Sequence, residues 1–149
     1  MITTGASLAK DVAAMANSGG GVIVYGIVEE RGTSAADGIR PVGRVDEAVR
    51  RSIRRTINSL VYPTVTGVDL VHIAPEGAPD DGVLVMIVPD SADAPHLVHP
   101  RAQPDFFACP YRHGPETEWM SERRLEGAPR ARLVGNGGTT IWTTALSIS

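Results

Sequence analysis

Residues 16–27, ANSGGGVIVYGI, decide how this chain is read: a helix stops at Gly19-Gly20-Gly21 and an apolar strand begins. That order excludes one common phosphate site. A Walker-type loop runs strand, glycines, lysine with serine or threonine, then helix, so that the amides of a helix N-terminus face the anion. Here the helix comes first and no lysine follows the glycines. Two roles remain open for the glycine run. It supplies the positive-φ cap that turns a helix end tightly into a strand, or its bare backbone lets a ligand or nucleic acid approach the mouth of the strand.

Outward from this junction, residues 7–17 read as a short amphipathic helix with Ser7 as N-cap and Leu8, Val12, Met15 and Ala16 on one face. Residues 22–28 are nearly all apolar, which predicts a central strand covered on both faces. Residues 29–44 read as a long loop. Residues 46–60 form the clearest helix: Asp46 caps it, and Val49, Ile53, Ile57 and Leu60 make an apolar stripe. Arg50, Arg51, Arg54 and Arg55 fall on the opposite side, with Glu47 placed to offset the first two. This cationic face is either solvated surface or a contact for phosphates, because grouped arginines without matching acids repel one another unless an anion is near.

Residues 65–73 and 83–88 read as a hairpin across the Pro, Asp and Gly of 75–82. Residues 90–104 are proline-rich and irregular. Residues 106–112 suit an edge strand, since Pro110 lacks a donor. A short helix starts at Ser121. The hydroxyl-rich residues 127–149 lack a period; a strand holding Ile141 and Trp142 is one reading, and a poorly ordered tail is the one favoured.

The chain has 149 residues, enough for one domain with its own core, here 1–126 followed by a tail. Its 42% hydrophobic content separates it from disordered chains. No apolar run is long enough to cross a bilayer, the first twenty residues do not resemble a secretory signal, and Cys109 is the single cysteine. A cytoplasmic location is expected, without membrane association. A net charge of −3 means that any nucleic-acid binding needs a local basic patch. Charge is unevenly spread: arginines gather at 50–55 and 123–132, whereas 76–93 holds five acids and no base.

Four pieces of this sequence, over roughly residues 7–126, resemble the Schlafen AlbA_2 domain family. Ala16-Asn17-Ser18-Gly19-Gly20-Gly21 with the strand containing Gly26 resembles its helix-to-strand junction. Val42-Gly43 is similar to the step that closes its next loop. Val85 to Pro89 with Ala94-Pro95-His96 resembles a strand ending in Val-Pro before a Pro-His step. Tyr111-Arg112-His113-Gly114-Pro115-Glu116-Thr117 resembles its Tyr-x-Arg-x-Gly-x-x-Thr region, with a shorter spacing before the arginine. The resemblance implies an α/β (α+β) domain, a mixed sheet flanked by two or three helices, that binds nucleic acid or ATP within bacterial regulators. Eukaryotic relatives cleave RNA through an acidic cluster, part of it on a strand ahead of the glycine junction. That strand is missing here and no acid precedes Ser7, so neither a catalytic residue nor a bound divalent metal is expected. Glu29, Glu30 and Asp37 stand nearby without a role that sequence can assign.

The expected function is therefore noncatalytic nucleic-acid binding, DNA or RNA, through Arg50, Arg51, Arg54, Arg55 and Arg112. The alternative is an ATP site built from Asn17, Gly19, Gly20, Gly21, Gly26, Arg112, Gly114 and Thr117, in which Arg112 is a charged fork and the turn amides face phosphate oxygens. Against this, Arg112 in a plain surface turn would pair with Glu116 or Glu118. A third alternative is an interaction or oligomerisation domain, and a missing first strand would leave an edge that invites a homodimer. His96, His99, Cys109 and His113 are too irregularly spaced to specify zinc. Cys109 reads as a buried small residue, and Trp119 and Met120 as core seals.

Overall fold

The computed structural model describes residues 4–29, 36–99, 107–127 and 141–143; Glu30, Phe106 and most of the tail lie outside them. The first helix, α1 (Gly5–Ala16), starts earlier than expected, because the Thr4 side chain accepts from Ser7 N at 3.3 Å. It is also buried more completely than an amphipathic stripe requires: Leu8, Ala9 and every residue from Asp11 to Ala16 are buried. Its four buried alanines let neighbours close on several sides, and α1 packs against a second helix and strands of three sheets.

The glycine junction then leads into β1 (Gly21–Tyr25). The single strand expected over 22–28 is in fact broken at Gly26, whose φ of 102° turns the chain into β2 (Ile27–Glu29). A Cβ there would lie 3.1 Å from Arg40 O, so the crossing depends on glycine. The expected long loop contains β3 (Ala36–Ile39), antiparallel to β2. Its alternation was hidden because all four residues are exposed and carry no apolar pattern.

The second helix, α2 (Glu47–Leu60), matches its reading: Asp46 Oδ1 accepts from Val49 N at 2.9 Å, and Ile53 and Ile57 are buried. It runs directly into β4 (Val61–Tyr62). The hairpin β5 (Asp69–Ile73) and β6 (Val83–Val88) pairs as expected, with Leu70 opposite Met86 and Val71 opposite Val85. The first of these strands is shorter than the stretch read from sequence. Then come β7 (Leu97–Val98), β8 (Pro110–His113), β9 (Glu116–Trp119), α3 (Glu122–Gly127) and β10 (Ile141–Thr143).

The main sheet has the order β10-β1-β6-β5, with β10 parallel to β1 and the other pairs antiparallel. The expected mixed sheet with flanking helices is thus the observed α+β fold. Within the tail, residues 141–143 are a strand; what surrounds them lies outside the described residues. The burial of β1 alternates: Ile23 and Tyr25 are buried and Val22 and Val24 half-buried, so one face is covered less completely than its composition predicts. Ile23, Tyr25, Leu70, Leu84, Met86 and Val88 meet Leu8, Val12, Met15, Ile53 and Ile57 in one core. Each such large side chain contributes about 1.5–3 kcal/mol by leaving water. A second ribbon lies beside it: β4 pairs with β7, Val98 bridges Ala108, and the chain continues into the β8–β9 hairpin.

Candidate nucleic-acid interface

The arginines of α2 do not form one uniform face. Arg50, half-buried, donates through Nη1 to the carbonyl of Leu70 on the sheet edge. Glu47 lies 4.0 Å from Arg54, two turns along, rather than beside Arg50 or Arg51. Arg51 and Arg55 are exposed, one turn apart, and have no ion-pair partner among the described residues. From Ala48 to Val68 the chain carries no acid. The helix therefore presents Arg51, Arg54 and Arg55 outward on a rigid element, while Arg50 is turned to a structural task.

Arg112 is also engaged within its own hairpin. Its Nη1 donates to Thr117 Oγ1 and its Nη2 to Pro115 O, both at 2.7 Å, and its backbone N–H donates to Ser18 Oγ at 2.8 Å. These partners replace the expected pairing with Glu116 or Glu118. Burial pulls its pKa down, partly opposed by the charge of Asp11. The Ser18 contact brings the β8–β9 hairpin against the glycine junction, so the two halves of the alternative nucleotide site are neighbours.

At that junction Met15 O accepts from Ser18 N and Gly20 N at 3.0 and 2.9 Å, closing the helix end. Gly19 and Gly20 have φ of 92° and 82°. A Cβ on Gly20 would sit 2.6 Å from Asp90 N, whereas one on Gly19 would meet nothing within 4 Å. Gly21 pairs with Val88 in the sheet. Backbone already fills the space beside Gly20; Gly19 is the open position. Gly114 is exposed at φ 60°, with nothing within 4 Å of an added Cβ.

Asn17 is turned entirely inward. Its Nδ2 donates to Pro110 O at 2.8 Å and His96 O at 3.0 Å and lies 3.4 Å from Cys109 Sγ, while its Oδ1 accepts from His96 N at 2.7 Å. His96 Nδ1 lies 2.6 Å from Pro63 O. Burial raises the Cys109 thiol to about 11, so it stays a neutral thiol at neutral pH. Among the described residues no three His, Cys, Asp or Glu side chains gather as a metal site.

Sequence reasoning passed over Asp11. It is buried within α1; desolvation raises its pKa, opposed by the charges of Lys10 and Arg112. Tyr25, fully buried, is pushed above its ordinary value by burial and then by Asp11. The adjacent Lys10-Asp11 in an otherwise apolar helix is the signal that could have marked this position. Trp119, expected in the core, is 51% exposed, because it stands on the outermost strand of its hairpin. On the same hairpin, Tyr111 Oη donates to Glu118, His113 Nδ1 lies 3.0 Å from Glu118 Oε1, and Arg124 Nη1 donates to Tyr111 Oη at 2.5 Å. The bonds from Tyr111 and His113 hold the Glu118 carboxyl below its ordinary range.

Neither a curated protein nor a solved structure matches the chain. The model of the family described as Schlafen, AlbA_2 matches residues 2–121. With the helix-to-strand glycine junction and the arginine-bearing hairpin packed side by side, and with that match spanning most of its length, this chain belongs to the Schlafen, AlbA_2 family.

Proposed function

We propose that this chain is a noncatalytic nucleic-acid-binding domain of a bacterial, cytoplasmic regulator, which holds phosphates through α2. The observation that carries the reading is the exposure of Arg51 and Arg55, one turn apart and unpaired by any described acid. Arg54 can join them by leaving Glu47, since an exposed pair 4.0 Å apart is worth little. Arg50 and Arg112 are given lesser parts, because both spend donors within the protein.

The test is anisotropy of labelled DNA and RNA titrated at several salt concentrations. Each phosphate contact steepens the fall of log affinity by about 0.7 to 0.9 per log unit of salt. Two or three contacts give a slope of roughly −2. The double variant Arg51→Glu/Arg55→Glu is expected to lose binding; unchanged affinity in that variant removes α2 from the interface.

A nucleotide-binding reading is favoured by one observation, the Ser18–Arg112 bond that joins the glycine junction to the hairpin. ATP added to the same titrations separates the two: competition by ATP moves the site to Gly19 and Gly114. A homodimer also belongs to the proposal. Its support is the outer face of the main sheet, where Val71, Ile73 and Ile87 are exposed. Light scattering at micromolar concentration decides between one chain and two.

A further inference from the structure

The second ribbon leaves two aromatic rings in solvent where α2 ends. Tyr62 is 71% exposed and Phe107 53% exposed. In a chain that is 5% aromatic, rings kept out of the core call for a reason. They are fixed by backbone pairing. Tyr62 pairs with Leu97 on β7, and the bridge of Val98 to Ala108 sets His99 opposite Phe107. The rings of His99 and Phe107 meet edge to face with centroids 5.2 Å apart, which restrains the Phe107 ring. His99 N donates to Leu60 O at 3.0 Å, tying this ribbon to the last turn of α2. By register, Tyr62, Leu97, His99 and Phe107 share one side of the ribbon, with the two exposed residues about 12 Å apart, two strand spacings across and two residues along.

The approach to these rings carries positive charge. Arg51 and Arg55 precede Tyr62 on the exposed side of α2, and the intervening exposed residues Asn58 and Ser59 are neutral. An aromatic surface reached along a cationic, acid-free helix matches the recognition of unpaired bases: any base offers a π-face for stacking while its phosphates meet arginine. Duplex nucleic acid hides those faces within its own stack.

We infer that Tyr62 and Phe107 form a base-stacking platform, and that the ligand of this surface is single-stranded nucleic acid whose phosphates run along Arg51 and Arg55. The inference rests on the phosphate-binding role proposed for α2. Trp119 is left out, since its pairing with Pro110 places it on a different part of the ribbon.

The experiment compares a labelled oligothymidylate, an abasic strand of the same length and charge, and a duplex. The proteins are the wild-type chain, Tyr62→Ala/Phe107→Ala and Tyr62→Phe. The wild type should bind the base-bearing strand at least about fivefold more tightly than the abasic strand, the low end of what stacking of one base supplies. The double alanine variant should lose that preference while keeping its salt slope, and Tyr62→Phe should retain it. Equal binding of base-bearing and abasic strands by the wild type, or an intact preference in the double variant, overturns the platform and leaves the arginine role standing. Absence of salt-sensitive binding to any strand overturns both.

Discussion

At the scale of single residues, the protein places an acid where its charge is unwelcome. Asp11 is buried between Lys10 and the Arg112 hairpin, and desolvation outweighs their attraction, so its folded pKa lies above 3.8. A carboxyl raised on folding makes the native state bind more protons than the unfolded state between those two pKa values. Stability then falls as pH rises through that window. Asp11→Asn is accordingly expected to match the wild type below the unfolded pKa and to melt at a higher temperature at neutral pH. Melting curves of both proteins across pH measure this; a variant less stable at neutral pH would show that the ion pairing outweighs the burial. The sequence shows Lys10 beside Asp11, but not that Asp11 faces inward while Lys10 stays half-buried, because only packing decides which side of a helix is covered.

Among the described strands, β5 stands at an edge of the main sheet, the kind of position that recruits other strands. Two side chains close it. Asp69 Oδ1 accepts from Leu70 N at 2.9 Å, and Arg50 Nη1 donates to Leu70 O. Leu70 thus has both main-chain polar groups occupied at a position where a further strand would bond. Arg50→Ala frees the carbonyl, and the variant is expected to associate beyond the wild-type mass as its concentration rises, measured by sedimentation velocity. An unchanged mass would mean that Asp69 alone closes the edge. The same variant should keep most of its nucleic-acid affinity, in contrast to Arg51 and Arg55. The helical period put four arginines together on α2, yet it had no means of separating Arg50 from them. The carbonyl it reaches comes from a strand about twenty residues later in the chain.

Over the whole molecule, the end of α1 and two distant stretches of chain meet at Asn17. Its amide joins the end of α1 to the loop before β7 and to the first residue of β8, segments 79 and 93 residues away. Asn17→Leu would strand the N–H of His96 and the carbonyls of His96 and Pro110 in the interior, a loss of about 3 kcal/mol or more. Urea unfolding is the measurement. A loss below about 1 kcal/mol would show that water or a shifted backbone replaces the amide. The proposed platform depends on this joint as well, since the loop that Asn17 holds leads into β7, which sets Tyr62 and His99 in register.

What the sequence determined by itself was local. Capping by Asp46, the apolar stripe of α2, the β5–β6 hairpin and the helix-to-strand glycine turn all follow from residue types within a few positions of one another, so periodicity and turn chemistry carry them. The family motifs were legible for the same reason. Tertiary structure alone decided which of those residues face solvent. Gly26 breaks a strand because the chain near Arg40 crosses it, Arg112 spends its donors on its own hairpin, and Tyr62 stays exposed because β7 pairs beside it. Each depends on a partner supplied by the fold, and the side left open to a ligand is whatever those partners do not cover.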